Sequence, residues 1–244
     1  MRMVAVVLAG GSGQRFGAAV PKQLLELDGR TLLEHCVAAF DAAPGVDEVL
    51  VVMPPGRTAD AGKLRADGAF PKLSAVIEGG TSRPGSTRAA LAAIAARRGP
   101  AAEAGGDGSA DDWAVLFHDA ARPLVDQRII ADCVAALATV DAVGVAVPTA
   151  DTIVVVADGV MTQIPRRDSL RRCQTPQGFR LPVITRAHEL ALADPDYEPT
   201  DDCGVVLRYL PDVPVHVVPG SERNMKITYP KDLAIARALL GRED

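Results

Sequence analysis

The sequence predicts a protein of the α/β class, with a mostly parallel sheet, helices on both faces and a protruding β-arm. Three observations support this prediction. Short apolar runs alternate with helical periodicities, which is typical of βαβ units. A glycine-rich turn directly follows the first apolar run. Two β-branched runs flank Ala157-Asp158-Gly159 outside that alternation, and Asp-Gly between such runs indicates a hairpin.

Strands and helices alternate over the first 150 residues. The strands are predicted from apolar runs at residues 3–8, 48–53, 74–78, 113–118 and 143–147. The first run is apolar throughout, as expected of a strand buried on both faces. Helices are predicted at residues 31–40, 84–98 and 126–138, where apolar residues recur at helical spacing. This succession is the Rossmann-like pattern.

The second half begins with the hairpin, predicted at residues 152–156 and 160–164. Because an isolated two-stranded ribbon is marginal in water, an arm spanning residues 150–170 should pack against a partner, most simply a second copy of the chain. Helices follow at residues 181–192 and 230–240, with a strand at 215–218 between them. We therefore expect one domain over residues 1–244 with a projecting dimerisation arm. Residues 99–112 are of low complexity and predict a surface loop without chemistry.

Composition and charge exclude several classes of protein. The chain has 244 residues, of which 48% are hydrophobic and 23% charged, as in ordinary globular proteins. Its net charge of −5 argues against a nucleic-acid partner. No apolar run approaches the roughly 20 residues that span a bilayer, and the first residues lack the pattern of a signal peptide. The four cysteines form no CxxC pair, so we expect reduced thiols in a cytoplasmic protein.

The glycine-rich turn indicates anion binding. Glycines at positions 10, 11, 13 and 17 let the backbone approach an anion closely, and Arg15 and Lys22 add two cations. A triphosphate that loses pyrophosphate accumulates charge at its α-phosphoryl group and leaving oxygens, which such cations stabilise.

Three other interpretations of this turn are weaker. A simple connection between a strand and a helix does not explain the interleaved cations. A dinucleotide fingerprint fits poorly, because the third glycine is misplaced by one residue and no acidic residue ends a second strand at the required distance. A Walker loop requires Gly-Lys-Ser/Thr, which does not occur.

The string LAGGSGQRFG at residues 8–17, followed by PKQ at 21–23, resembles the signature loop of the nucleotidyltransferase superfamily. Further strings are similar to those of the 2-C-methyl-D-erythritol 4-phosphate cytidylyltransferases of the non-mevalonate isoprenoid pathway. They are Gly79-Gly80 with Arg83 and Ser86, HDAARP at 118–123, Asp151-Thr152 with Arg167 and TPQ at 175–177, TDD at 200–202 and NMKIT at 224–228. The resemblance spans essentially the whole chain in unchanged order.

This resemblance implies transfer of a cytidylyl group from CTP to a sugar-alcohol phosphate, with Mg²⁺, in a homodimer whose arms exchange. Arg15 and Lys22 would bind the CTP phosphates and stabilise the transition state. The nucleotide would contact Ala9, Gly10, Gly11, Gly13, Gly80, Ser86 and Asp119. Backbone carbonyls near Ala9, Gly10 and Gly80 could accept from the cytosine amino group. Ser86 could also cap a helix, and this role is compatible with its place in the pocket. Asp119 is also a candidate ligand of Mg²⁺.

The resemblance further implies an acceptor site. Arg122, Thr152, Arg167, Thr175 and Lys226 would hold the acceptor, because its phosphate and hydroxyls suit guanidinium and hydroxyl groups. Arg167 and Lys226 would position its phosphate for attack, and the arm would carry Thr152 and Arg167 to the partner's site. His118 is interpreted as a structural residue, since an ionised phosphate needs no base.

Other functions stay open at this point. Ribitol 5-phosphate cytidylyltransferases resemble the chain almost as well, because both acceptors are phosphorylated polyols. An NAD(P)-dependent Rossmann oxidoreductase is disfavoured by the missing acidic ribose partner, and a silent nucleotide-binding module by the retention of Arg15 and Lys22.

Overall fold

The computed structural model describes residues 1–10, 21–66, 68–98, 113–194, 196–197 and 199–241. The strands are β1 (Arg2–Leu8), β2 (Glu26–Leu27), β3 (Arg30–Thr31), β4 (Glu48–Met53), β5 (Leu73–Glu78), β6 (Trp113–Asp119), β7 (Ala142–Pro148), β8 (Val155–Ala157), β9 (Val160–Gln163), β10 (Arg171–Arg180) and β11 (Val215–Pro219). The helices are α1 (Leu32–Asp41), α2 (Ala59–Ala66), α3 (Arg83–Arg98), α4 (Gln127–Leu137), α5 (Leu181–Leu192), α6 (Asp202–Tyr209) and α7 (Pro230–Leu240).

Seven strands form the central sheet, in the order β11-β7-β10-β6-β1-β4-β5. The pairs β1/β4, β1/β6, β4/β5 and β7/β11 are parallel, whereas β10 runs antiparallel to both β6 and β7. The sheet is therefore mostly parallel, and the predicted Rossmann-like α/β class is confirmed.

Strand β1 shows why the sheet is covered on both faces. Its alternate residues Met3, Ala5 and Val7 pack into a core with apolar residues of α1, α2 and α4. The intervening residues Val4, Val6 and Leu8 pack into a second core with α3, α5 and α6. Since successive side chains of a strand point to opposite faces, a continuous apolar run is what this position requires.

Most predicted elements occur at the predicted places, with bounds that differ by a few residues. Helix α1 begins at a capping box in which the Thr31 hydroxyl accepts from the Glu34 N–H and the Glu34 carboxylate accepts from the Thr31 N–H. The longer elements that the sequence does not predict are β10, α6 and α2. The low-complexity segment at 99–112 lies outside the described residues.

The arm is a separate two-stranded sheet of β8 and β9. Asp158 and Gly159 adopt φ values of 50° and 78°, which is the conformation that a two-residue hairpin turn needs and that Asp-Gly accepts. The arm's large apolar side chains are 42–68% exposed: Ile153, Val155, Val156, Val160, Met161 and Ile164.

The described helices are too short or too polar to cross a lipid bilayer.

Candidate active site

The candidate site lies at the carboxyl ends of β1 and β6, where the strand order of the sheet reverses. Leu8 and Asp119 are paired in register at this edge. The chain then stays close to the sheet, because the Ala9 N–H donates to the Val52 carbonyl at 2.8 Å and the Ala120 N–H donates to the Leu8 carbonyl at 3.0 Å. In open α/β sheets, ligands bind in the crevice at such a switch point.

Two glycines pack closely around the Ser86 hydroxyl. A Cβ atom on Gly10 would lie 3.0 Å from Ser86 Oγ, and one on Gly79 would lie 2.7 Å from it. Ser86 is buried and donates to the Ser82 carbonyl at 3.1 Å. The segments after β1 and β5 therefore meet over the start of α3, and glycine is required for that approach.

The alternative role of Ser86 as a helix cap is not found. The Ser82 hydroxyl instead accepts from the Gly85 N–H at 3.2 Å. Ser86 lies within the first turn of α3, and its hydroxyl is 3.4 Å from the Gly80 carbonyl. Ser86 thus links the two glycine segments that the sequence assigned to the nucleotide.

Asp119 is held between two cations. Its Oδ2 accepts from Lys226 Nζ at 2.7 Å, and its Oδ1 lies 3.5 Å from Arg83 Nε. Burial alone would raise the pKa of Asp119, but the charges of Arg83 and Lys226 outweigh burial and hold that pKa well below its usual range. Asp119 is therefore an ionised carboxylate that reaches the crevice with its charge balanced.

His118 is fully buried behind Asp119. Its Nε2 donates to the Arg122 carbonyl at 3.0 Å, which leaves Nδ1 to accept from the Thr175 hydroxyl at 3.1 Å. That hydroxyl in turn accepts from the Asp119 N–H at 3.0 Å. Burial lowers the pKa of His118 to about 4, so the ring is neutral at neutral pH. Both nitrogens are engaged, which agrees with the interpretation of His118 as a structural residue.

Arg122 fixes the segment that carries Lys226. Its Nη1 donates to the Asn224 carbonyl at 2.8 Å, and its Nη2 donates to the Cys173 carbonyl at 3.3 Å. The Asn224 side chain donates to the Thr175 carbonyl at 2.8 Å, while the Ile227 N–H donates to the Ala121 carbonyl at 2.8 Å. These bonds place Lys226 against the end of β6. The pKa of Arg122 is lowered by burial.

A second carboxylate lies behind the first. Arg83 extends from α3 and donates through Nη1 to Asp202 Oδ2 at 2.6 Å. Asp202 is 1% exposed and also accepts from the Thr87 hydroxyl at 3.0 Å, with His188 Nε2 at 3.1 Å. We call the set of buried and half-buried side chains around the crevice the polar frame; its members are Arg83, His118, Asp119, Arg122, Thr175, Asp202 and Asn224.

The arm carries a different pair of predicted site residues. Arg167 Nη2 donates to the Thr152 hydroxyl at 2.7 Å, and both residues are exposed. Within the described part of the chain, no hydrogen bond or ion pair connects this pair to Asp119 or Lys226.

The structure thus brings together part of the predicted set. Asp119, Arg122, Thr175 and Lys226 form one cluster, beside the closely packed segments that contain Ala9, Gly10, Gly80 and Ser86. Lys22 begins a short 3₁₀ helix, Lys22–Leu24, and is partly buried. Arg15, Gly11 and Gly13 lie outside the described residues.

Sequence reasoning assigns no role to Arg83, Asp202 and Asn224. The strings that contain them carry the family resemblance, but nothing in the sequence shows that Arg83 binds Asp202, 119 positions away, or that the Asn224 side chain binds the Thr175 carbonyl.

Asp119 could hold a divalent cation. Among the residues that the structure describes, no group of three or more histidine, cysteine or acidic side chains forms a cage for a metal ion. Mg²⁺ needs no such cage, since it is usually bound through one or two carboxylates together with substrate phosphates and water. Asp119 Oδ1 has a long 3.5 Å contact to Arg83, so this oxygen retains capacity for a cation.

Comparisons with known proteins agree on one family. The sequence model of the 2-C-methyl-D-erythritol 4-phosphate cytidylyltransferase family matches residues 3–242. A protein of that name from Thermobifida fusca is 53% identical, over 98% of this chain and 93% of its own length. The crystal structure of the enzyme of that name from Thermus thermophilus aligns with a TM-score of 0.70 and 32% identity, covering 98% of each chain. A bifunctional ribulose 5-phosphate reductase/CDP-ribitol pyrophosphorylase from Haemophilus influenzae is 35% identical over 97% of this chain and 48% of its own length.

Proposed function

The chain belongs to the 2-C-methyl-D-erythritol 4-phosphate cytidylyltransferase family, and we propose how its residues transfer the cytidylyl group from CTP to 2-C-methyl-D-erythritol 4-phosphate. The observation that supports the proposal best is the Asp119–Lys226 ion pair, held by the polar frame beside the glycine segments that pack around Ser86. The pair places a cation for the acceptor phosphate next to the pocket that suits the nucleotide.

The reaction is a single displacement. An oxygen of the acceptor phosphate forms a bond to the α-phosphorus of CTP, and the bond from that phosphorus to the β-phosphate bridging oxygen breaks, which releases pyrophosphate. The acceptor phosphate is ionised at neutral pH, so the step needs no general base. This is consistent with His118, which is neutral and makes a hydrogen bond at each ring nitrogen. Catalysis then consists of positioning and charge stabilisation.

The glycine-rich turn supplies the charge stabilisation in this proposal. Lys22 and Arg15 bind the triphosphate oxygens and stabilise the negative charge that develops on the α-phosphoryl group and on pyrophosphate. Ala9, Gly10, Gly11, Gly13, Gly80 and Ser86 form the nucleotide pocket. Carbonyls of this pocket accept from the cytosine amino group, and uracil would leave them unpaired, at a cost of roughly 1–3 kcal/mol.

Lys226 and Arg167 orient the acceptor. Lys226 contacts the acceptor phosphate from the segment between β11 and α7 that lies against the end of β6, with Arg122 and Thr175 holding that region in place. Thr152 and Arg167 come from the arm of a second subunit. The exposed apolar side chains of β8 and β9 support this assembly, because an uncovered apolar ribbon is unstable in water.

Mg²⁺ would complete the proposal, and Asp119 would hold it together with the CTP phosphates. The bound ion would supply neutralisation of the phosphate charge. A cytoplasmic location is inferred as well, since all four cysteines are free thiols.

A substrate assay with matched variants tests the reaction. Pyrophosphate release is measured with CTP and either 2-C-methyl-D-erythritol 4-phosphate or ribitol 5-phosphate. Lys22→Ala should lower kcat/KM by about 100-fold or more, as loss of a transition-state cation does, while Lys231→Ala, an exposed lysine on α7, should not. Turnover of Lys22→Ala near the parent value would overturn the role of the turn.

Ribitol 5-phosphate is a second candidate acceptor, favoured by the 35% identity to the Haemophilus protein. The same assay decides between them. We expect a higher kcat/KM for the methylerythritol phosphate, in line with the 53% identity to the Thermobifida protein.

Mixing two inactive variants tests the exchange of arms. In a heterodimer of Lys22→Ala and Arg167→Ala subunits, exchanged arms leave one site with both defects and one intact. Random mixing should then restore about a quarter of the parent activity, by the symmetry of a two-fold dimer. Arms that serve their own subunit would restore none. Arg166→Ala is the control, because Arg166 is next to Arg167 and paired with Asp168. It tests whether the neighbouring arginine, rather than Arg167, serves the site.

A further inference from the structure

Arg83 lies between two carboxylates that come from distant parts of the chain. It is the first residue of α3, and its side chain is 24% exposed. Its Nη1 is 2.6 Å from Asp202 Oδ2, while its Nε is 3.5 Å from Asp119 Oδ1. The guanidinium group is planar and presents several donors in fixed directions, so one arginine can bind both carboxylates at once.

The two contacts differ in kind. Asp202 is buried and held on every side, because it also binds Thr87 and His188, and its backbone N–H donates to the Gln177 side chain at 3.0 Å. Asp202 is therefore an anchor: it is 1% exposed, and both of its carboxylate oxygens already bind protein groups. Asp119, in contrast, lies at the crevice and binds Lys226.

Arg83, Lys226, Asp119 and Asp202 form a group of balanced charges. The cations of Arg83 and Lys226 balance the anions of Asp119 and Asp202, and each cation contacts Asp119. Without the Arg83 side chain, the buried Asp202 would lose the arginine that contacts it. Lys226 would then be the sole cation on Asp119 among the ion pairs that the structure describes.

We propose that Arg83 is a positioning residue for cytidylyl transfer: anchored on Asp202, it holds the Asp119 carboxylate so that Asp119 in turn fixes the ammonium group of Lys226 for the acceptor phosphate. Arg83 acts through Asp119 and Lys226 and does not itself contact the acceptor. The inference rests on the proposed role of Lys226 in the acceptor site.

The kinetic test uses Arg83→Met, Arg83→Lys and Asp202→Asn. Because a misplaced catalytic group costs up to about 100-fold, we expect kcat/KM for the acceptor to fall by about 10- to 100-fold in Arg83→Met. The KM for the acceptor should rise by a larger factor than the KM for CTP, because Lys226 faces the acceptor while Asp119 also faces the CTP phosphates. Arg83→Lys should not restore the loss, because a point charge cannot bind both carboxylates. Asp202→Asn, whose side chain lies away from the crevice, should raise the same KM.

A double-variant comparison separates positioning from a general loss of structure. If Arg83 acts through Lys226, then Arg83→Met combined with Lys226→Ala should be no less active than Lys226→Ala alone. Losses of kcat/KM for the acceptor that multiply in the double variant, or a KM for CTP that rises as much as the KM for the acceptor, would overturn the proposal. Arg88→Met is the matched control on the same helix, and we expect parent kinetics from it. Arg83→Met/Asp202→Asn removes the buried cation together with its buried anion, which guards against misfolding of the single variant.

Crystal structures of the unliganded parent and Arg83→Met protein provide a readout that does not depend on the reaction. We expect the Asp119 carboxylate to turn and its 2.7 Å contact with Lys226 to open. An unchanged contact between Asp119 and Lys226 in Arg83→Met would overturn the proposal, whatever the kinetics of the parent enzyme. A parent enzyme without activity on either polyol phosphate would instead overturn the proposed function. The crystal structures would still test whether Arg83 holds the contact between Asp119 and Lys226.

Discussion

The polar frame and the arm both carry predicted site residues, but they differ in burial and in the sequence separation of the residues that hold them. The frame is buried or half-buried, and its side chains bind partners that are up to 119 positions away, as Arg83 binds Asp202. The arm is exposed, and its pair of Arg167 and Thr152 is 15 positions apart. The frame is held by bonds within one chain, whereas the arm presents exposed apolar side chains that a second surface would cover. One half of the site is thus preorganised, and we expect the other half to depend on assembly.

Two arginine variants should show the largest difference between these regions. Arg122→Ala removes a buried cation and leaves the carbonyls of Asn224 and Cys173 without their donor, so we expect the free energy of unfolding to fall by about 3 kcal/mol or more. Arg167→Ala should change it by less than about 0.5 kcal/mol, because its side chain is exposed. Urea unfolding measures both values. Equal effects would contradict the contrast between frame and arm.

Acid should weaken the frame through His118. Its pKa is about 4 in the folded chain and about 6.5 when unfolded, so the unfolded chain binds more protons between these values. The contribution of this group to stability is therefore complete above pH 6.5 and falls as the pH drops towards 4, by about 3 kcal/mol. Urea unfolding at several pH values measures the slope. His118→Gln should flatten it, whereas His216→Gln, an exposed histidine of β11, should leave it unchanged.

Charges on the arm should act on assembly. Met161 is 68% exposed in the single chain, and a buried methionine contributes about 1.5–3 kcal/mol. Met161→Lys should therefore weaken dimerisation by about tenfold or more, measured by analytical ultracentrifugation, and lower activity at low protein concentration. Leu207→Lys, at another exposed apolar side chain, is the control. An unchanged dimer would exclude this face of the arm from the interface.

The smallest effect is expected at the arm's turn. Gly159 has a φ of 78°, so Gly159→Ala should strain the hairpin by about 1 kcal/mol. Because the arm forms a sheet of its own, global unfolding should barely change, while amide exchange within β8 and β9 should accelerate. Protection that stays at the parent level would mean that the arm is held by more than its own turn.

The sequence predicts the fold well where a local pattern determines the structure. The apolar run of β1, the periodicity of α4 and the Asp-Gly turn of the arm each depend on neighbours in sequence. Strand β10 is not predictable in this way, because RRCQTPQGFR has no apolar run and contains both proline and glycine. Its burial comes from insertion between β6 and β7, which is a tertiary effect.

The candidate site is likewise predictable in part from the sequence. Motif strings indicate Asp119, Arg122, Thr175 and Lys226, and the structure brings these into one cluster. The strings do not show which side chains support that cluster, since the pairing of Arg83 with Asp202 depends on how α3 and α6 meet.

The antiparallel strand β10 has a consequence for synthesis on the ribosome. Strands β6 and β7 do not pair with each other, and the slot between them is filled by residues 171–180. A nascent chain that has emerged as far as the arm therefore exposes the unpaired facing edges of β6 and β7 together with an apolar ribbon, which is a combination prone to aggregation. The ten residues that follow the arm as β10 pair with both of these facing edges.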